Sequence, residues 1–176
     1  EKYWGRLAAG CTEKELADPN WQAKIYTLKP ITTNYCPMSC SFCDVTSLQR
    51  KETGADMTVN GLRGEELEAY ITMLLEKHQQ VRQIMFKDDL WFLRGRGRVR
   101  GTTTSSQILE DLAALKRARE KFPERNITYT GKARVDTFVD VHTLDVNWEL
   151  LNATRESGFV SVSMGIESFD SVQLDH

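Results

Sequence analysis

Cysteine is scarce in this sequence, with 4 residues among 176. That content is far below the level found in small secreted proteins that disulfides hold together. The sequence also lacks an apolar run long enough to span a bilayer, and it shows no signal-peptide pattern. We therefore expect a protein of the reducing cytoplasm that has no membrane partner.

An excess of charge of either sign is also missing. The net charge is −2, with 27% charged and 40% apolar residues, which is typical of a soluble globular domain. This balance gives no electrostatic reason to expect nucleic acid or an anionic membrane as a partner. The length suits one domain with a real core, so we expect a polar N-terminal segment over 1–24 and one domain over 25–176.

Three of the four cysteines lie in one short stretch. Cys36, Cys40 and Cys43 have the spacing CxxxCxxC. An iron–sulfur cluster is normally held by four thiolates. Three thiolates this close together can hold three irons of a 4Fe-4S cluster and leave the fourth iron without a protein ligand. An open iron can bind a small molecule, as does the free position of a catalytic metal site.

Other interpretations of these cysteines stay open. A structural zinc site often has three cysteines and one histidine, but no histidine lies at short ligand spacing from the stretch. The three histidines are His78, His142 and His176. A disulfide with a spare thiol is disfavoured by the low cysteine content. Cys11 stands apart from the others, and we interpret it as an ordinary thiol rather than as a fourth cluster ligand.

Strand-like and helix-like segments alternate along the chain. Strands are expected at 25–34, 81–86, 127–133 and 159–166, and helices at 67–78, 108–122 and 147–157. An apolar stripe that begins at Leu67 predicts the first of these helices, and Gly158 is the expected stop of the last. This order predicts βαβ units with right-handed crossovers and a parallel sheet.

Each expected strand is followed by a polar or metal-binding segment. These segments are the cysteine stretch, Lys87–Asp89, Arg134–Asp136 and Glu167–Ser168. In a parallel sheet they would share the edge formed by the carboxyl ends of the strands, where such folds bind ligands. The pattern therefore predicts a cofactor site at that edge.

The same segments resemble motifs of the radical S-adenosylmethionine (radical SAM) enzymes. The hallmark of that superfamily is CxxxCxxC with an aromatic residue before the last cysteine, here Phe42. Met85–Asp89 is similar to the F-x-D-D segment of the cobalamin-binding and methylthiotransferase-like branches. Ala133–Asp136 is similar to their A-R-x-D segment, and Ser163–Ser168 to their G-I-E-S segment. The resemblance covers the chain from about residue 28 onward.

The resemblance implies an α/β fold that forms a partial (βα) TIM-like barrel of the radical SAM type. About four βα units are present over 25–176, whereas members of the superfamily usually have about six. We therefore expect this core to be truncated at its C-terminal end. The chain also departs from the superfamily at Tyr35, where glycine is frequent, and at the basic stretch 94–101, which looks like an insertion.

The resemblance also implies an enzyme with two cofactors, a 4Fe-4S cluster and S-adenosylmethionine. Cys36, Cys40 and Cys43 would be the metal ligands. The reduced cluster would cleave S-adenosylmethionine to a 5′-deoxyadenosyl radical for hydrogen abstraction, methylation or methylthiolation of an unknown substrate. An electron donor such as a flavodoxin or ferredoxin is implied as a partner. The cobalamin-binding branch further suggests cobalamin, held by a domain outside this chain.

Residues expected to contact S-adenosylmethionine are Phe42, Asp88, Asp89, Arg134, Glu167 and Ser168. Phe42 would lie against the adenine, and one of the two aspartates would accept from the amino group. Arg134 would neutralise the carboxylate, and Glu167 or Ser168 would bond the ribose hydroxyls. Several of these roles have an alternative, and Phe42 can instead belong to the packed core. The aspartates can be solvated residues that close a strand, and Arg134 can pair with Asp136 at the surface.

Two other functions remain open for the whole chain. One is a non-catalytic structural module that binds zinc or a cluster. The other is a truncated core that keeps the fold but does not turn over.

Overall fold

A computed structural model of the chain describes residues 9–33, 36, 61–93, 105–140 and 142–165. The elements in chain order are helices α1 and α2, strand β1, helix α3, strand β2, helix α4, strand β3, helix α5 and strand β4. The helices are α1 (Glu13–Ala17), α2 (Pro19–Ile25), α3 (Gly64–Lys77), α4 (Ser105–Glu120) and α5 (Trp148–Ser157). The strands are β1 (Thr27–Leu28), β2 (Gln83–Met85), β3 (Thr128–Ala133) and β4 (Phe159–Met164).

The four strands form one parallel sheet in the order β1-β2-β3-β4. Ile84 of β2 pairs with Tyr129 of β3, and Tyr129 pairs in turn with Phe159 of β4. The predicted α/β class and parallel sheet are therefore confirmed. In the described part of the chain, three short single-turn helices lie in the connections, at Trp91–Leu93, Pro123–Arg125 and Val135–Thr137.

The first strand is much shorter than predicted. Residues 25–34 were expected to be extended, but helix α2 reaches Ile25 and β1 contains only two residues. Asp18 caps α2 by accepting from the backbone of Asn20, and Pro19 takes the first helical position, where its fixed φ is favourable. After β1 the chain still runs beside β2, because the amide of Lys87 donates to the carbonyl oxygen of Pro30.

The helix predictions are confirmed closely. The apolar stripe of α3 is buried at Leu67, Ile71 and Leu75, and the chain leaves the helix at His78. In α5, the side chain of Asn147 accepts from the amide of Leu150, which satisfies one of the free donors of the first turn. Gly158 ends α5 with φ of +109°, a left-handed conformation that L-residues other than glycine adopt at a cost.

The three long helices pack side by side, α3 against α4 and α4 against α5. Ion pairs join their outer surfaces: Glu68 of α3 pairs with Arg117 of α4 and with Lys121, which directly follows α4, and Lys116 of α4 pairs with Glu156 of α5. The hydroxyl of Tyr129 in β3 donates to a carbonyl of α4, so this helix layer covers the face of the sheet that carries Tyr129.

Aromatic side chains from the sheet and from the segments that follow β2 and β3 pack together in the core. They belong to Phe86, Trp91, Phe92, Tyr129, Phe138 and Phe159. The rings of Phe86 and Trp91 are 5.1 Å apart, and those of Trp91 and Phe159 also 5.1 Å. Gly131 lies under this cluster, where an added Cβ would be 3.2 Å from the ring of Phe159. Because its rings are almost fully buried, the cluster forms a large part of the packed core.

Within the described ranges, none of the helices combines the length and the apolar character needed to cross a lipid bilayer.

Candidate functional site

The described parts of the predicted site lie where the strands end. Thr32, Thr33 and Cys36 follow β1, and Asp88 and Asp89 follow β2. Arg134 follows β3 directly. Because all four strands are parallel, these segments share one edge of the sheet.

Asp88 accepts several hydrogen bonds at this edge. The residue is 2% exposed. It accepts from the amide of Thr32 at 2.9 Å, from the hydroxyl of Thr33 at 2.7 Å and from the amide of Thr33. The hydroxyl of Thr32 lies 3.1 Å from each carboxylate oxygen. The segment after β2 is thereby joined to the segment after β1. Sequence reasoning missed the two threonines.

The threonine pair is also joined to the chain that precedes α3. The amide of Leu62 donates to the carbonyl oxygen of Thr32 at 2.9 Å, and Thr33 forms an isolated antiparallel bridge with Gly61. In the sequence, all three clustered cysteines fall between Thr33 and Gly61. The two ends of that stretch are therefore held together at the edge of the sheet.

Cys36 is the predicted metal ligand that the structure describes, and it is 8% exposed. Cys40, Cys43 and Phe42 lie outside the described residues, as do Glu167 and Ser168. Among the residues that are described, no group of three or more histidine, cysteine, aspartate or glutamate side chains is placed to hold a metal ion. The predicted ligand set as a whole stays a prediction.

The two aspartates after β2 differ in environment. Asp88 is buried and hydrogen-bonded to the threonines, whereas Asp89 is partly exposed. Asp88 is therefore not the solvated strand-end residue that we considered as an alternative. Of the two carboxylates, that of Asp89 is the more accessible to a ligand.

Arg134 forms an ion pair with Asp136, as one of the sequence interpretations anticipated. Its guanidinium donates from Nε at 2.8 Å and from Nη2 at 2.6 Å to the two carboxylate oxygens. Both side chains are more than a third exposed, so the pair contributes only about 0–1 kcal/mol to stability. The expected role of Arg134 toward a ligand carboxylate stays a prediction.

One face of the sheet is polar, which was not anticipated from the sequence. Thr130 of β3 pairs with Ser161 of β4, and Lys132 pairs with Ser163. These residues alternate with Tyr129 and with the buried Ala133, which point to the opposite face. The alternation T-Y-T-G-K-A is visible in the sequence and is the signal that could have revealed this face.

Comparison of the chain with models of protein families, with curated proteins and with solved structures gave no match.

Proposed function

We propose that this chain is the S-adenosylmethionine-binding core of a radical SAM enzyme. The observation that carries the proposal is the junction of Thr32 and Thr33 with Asp88, which ties the start of the cysteine stretch to the edge of the sheet. Ligands of parallel α/β folds bind at that edge. The motif resemblance of four successive post-strand segments is the second support.

The fold supports the finer proposal of a partial TIM-like barrel. The strands follow one another in sequence order, and the connecting helices α3, α4 and α5 form one row. A doubly wound sheet would reverse its strand order and place helices on both faces. Sequential order with helices in one row is the arrangement of a barrel wall.

Cys36, Cys40 and Cys43 would hold the 4Fe-4S cluster. Cys36 fits this role because it is buried beside an edge made of hydrogen-bonded backbone, where a cluster would be shielded from solvent. Three thiolates also leave one iron for a ligand outside the protein. When bound, the cluster and S-adenosylmethionine would together supply a 5′-deoxyadenosyl radical through one-electron cleavage of a carbon–sulfur bond.

The residues of the chain would bind and orient S-adenosylmethionine. Asp89 would accept from its amino group, since the carboxylate of Asp89 is more accessible than that of Asp88. Arg134 would exchange its weak partner Asp136 for the carboxylate of the methionine moiety, a charge-assisted contact. Phe42 against the adenine, and Glu167 or Ser168 at the ribose, complete the proposed contacts.

The proposed reaction is hydrogen abstraction, methylation or methylthiolation, with an electron donor such as flavodoxin or ferredoxin. The F-x-D-D and G-I-E-S resemblance favours the branches that use cobalamin or transfer methylthio groups. A thiolate-bound cluster of this kind would persist in a reducing compartment, which supports the cytoplasm as the location.

Anaerobic reconstitution with iron and sulfide tests the proposal. We expect the wild-type protein to take up a cluster with broad visible absorbance, and Cys40→Ala to lose it. Cys11→Ala is the matched control, because Cys11 lies outside the cysteine stretch and should leave the cluster unchanged. Formation of 5′-deoxyadenosine from S-adenosylmethionine with dithionite tests the reaction. A colourless protein that holds zinc through the same thiols would reject the proposal in favour of a structural module.

A further inference from the structure

The carboxylate of Asp88 faces four donors from two consecutive residues. These donors are the amide and the hydroxyl of Thr32 and the amide and the hydroxyl of Thr33. Oδ1 accepts from both amides and from the hydroxyl of Thr33, and the hydroxyl of Thr32 lies within hydrogen-bonding distance of both carboxylate oxygens. A carboxylate that is almost fully buried is tolerated only when such bonds compensate for its lost hydration.

We propose that Asp88 is a positioning residue, whose carboxylate fixes the Thr32–Thr33 backbone and thereby the place of the predicted cluster ligand Cys36. This role rests on the proposed function. It differs from the expectation that either aspartate binds the amino group of S-adenosylmethionine. An ammonium group would have to reach a carboxylate that is almost fully buried and already bonded to the threonines, whereas Asp89 is partly exposed.

The position of these bonds in the chain supports the role. Thr33 precedes Cys36 by three residues, so fixing its backbone restricts where the Cys36 thiolate can lie. Thr32 is held on its other side by the amide of Leu62, and Thr33 by its bridge to Gly61. Because Asp88 follows β2, its hydrogen bonds to Thr32 and Thr33 also join these two residues to the sheet.

Substitutions at Asp88 can separate positioning from ligand binding. Asn keeps an acceptor oxygen for the two amides, and its NH₂ group can donate to a threonine hydroxyl. Ala removes every acceptor that the side chain of Asp88 offers to the two amides. If Asp88 positions the backbone, D88N should resemble the wild-type protein and D88A should not. If its charge binds the amino group, both variants should assemble the cluster but bind S-adenosylmethionine weakly.

The matched control is Asp111, which is also buried and also accepts from a backbone amide, that of Gly64 at 2.9 Å. Asp111 lies on α4 and pairs with Arg63. D111N and D111A therefore remove a comparable buried carboxylate without touching the bonds between Asp88 and the threonines.

The first readout is amide hydrogen exchange at residues 32–33 in the metal-free protein, which requires no cofactor. We expect D88A to accelerate exchange there by about tenfold or more, the effect of losing about 1.4 kcal/mol of protection. D88N should give a smaller change, and the Asp111 variants should leave these amides as in the wild-type protein. Equal exchange in D88A and wild type would overturn the proposal. If D88A does not fold, Thr33→Val, which removes one donor, replaces it with the same expected direction.

The second readout is the iron content per chain after reconstitution. D88A should hold several-fold less iron than the wild-type protein, and D88N should hold a similar amount to wild type. Full iron in D88A together with weakened S-adenosylmethionine binding in both variants would assign Asp88 to the ligand instead. The two proposals fail separately. Absence of a cluster in the wild-type protein rejects the proposed function, whereas a cluster that D88A retains rejects only the positioning role.

Discussion

The hydroxyl of Tyr129 in β3 donates a hydrogen bond to the main-chain oxygen of Leu115 in α4, at 3.0 Å. Tyr129 is fully buried, and its ring lies 5.8 Å from the rings of both Phe86 and Phe159. One polar bond thus joins the centre of the sheet to the middle helix of the row. The burial that makes this bond possible also raises the pKa of Tyr129 well above its usual value.

This pKa shift predicts a loss of stability at high pH. In the unfolded chain Tyr129 ionises near pH 10, whereas in the folded protein it keeps its proton. Above pH 10 the unfolded state therefore binds fewer protons, and the free energy of unfolding falls as pH rises. A single such group contributes a slope of about 1.4 kcal/mol per pH unit.

Urea unfolding of wild type and Tyr129→Phe between pH 7 and pH 11 measures this effect. Y129F should be less stable at pH 7 by about 0.5–1.5 kcal/mol, the net value of one hydrogen bond, and should show a shallower decline above pH 10. Parallel alkaline declines in the two proteins would contradict the assignment to Tyr129.

Among the arginines in the described residues, Arg125 is the one whose replacement we expect to lower the free energy of unfolding most. Its guanidinium is buried and donates to the carbonyl oxygens of Leu75, His78 and Val81, at 2.8, 2.9 and 2.9 Å. Leu75 lies in the last turn of α3, and His78 and Val81 lie between α3 and β2. We expect Arg125→Ala to lower the free energy of unfolding by about 1.5–3 kcal/mol, because charged hydrogen bonds are lost and buried acceptors remain.

The matched control for this prediction is Arg155→Ala, since Arg155 is exposed on α5. That variant should change stability by less than about 0.5 kcal/mol. Chemical denaturation of both variants gives the comparison. Equally small losses of stability in the two variants would contradict the prediction that the hydrogen bonds of Arg125 stabilise the fold.

Replacement of Gly158 is expected to destabilise the protein because of its backbone conformation. Its φ of +109° is unfavourable for any residue with a Cβ, and an added Cβ would lie 2.9 Å from Cδ of Arg119. We expect Gly158→Ala to cost about 1–3 kcal/mol. Most of this cost should persist in an Arg119→Ala background, because the side chain of Arg119 can move whereas φ cannot. A double-mutant cycle in which R119A restores full stability would show that steric contact dominates instead.

Glu68 is expected to contribute to the loss of stability in acid. Hydrogen bonds from Lys121 and Arg117 hold its pKa below the usual 4.5. A carboxylate with a lowered pKa in the folded state contributes stability above pH 4.5, which is lost as pH falls through the folded value. Because the partner cations are half-exposed, Glu68→Gln should cost only about 0–1 kcal/mol at pH 7. The stability difference between E68Q and wild type should shrink toward pH 3, and a difference that grows would contradict the sign.

The sequence was most informative where local signals agree with the fold. The stripe that starts at Leu67 and the stop at Gly158 gave the ends of α3 and α5 within a few residues, because periodicity and capping are properties of neighbouring residues. The later three strands were also located correctly, and the parallel order followed from their alternation with helices.

The features that the sequence did not predict involve contacts between distant parts of the chain. Thr32 and Asp88 are 56 residues apart, and no local pattern links a threonine to a particular aspartate. The strand expected over 25–34 begins later than predicted, because the Asp18 cap and Pro19 start a helix that extends through Ile25. Of the candidate site, the sequence could name residue types and their shared edge, but not the difference in burial between Asp88 and Asp89.

The central claim is that three cysteine thiolates leave one iron open to S-adenosylmethionine. Electron paramagnetic resonance of the dithionite-reduced, reconstituted protein tests it most directly, with spectra recorded before and after S-adenosylmethionine is added. We predict a reduced 4Fe-4S signal whose shape changes on addition, because the molecule binds to the open iron. A cluster signal that stays identical at saturating S-adenosylmethionine would contradict the claim, and so would a reconstituted protein that shows no cluster signal and contains zinc.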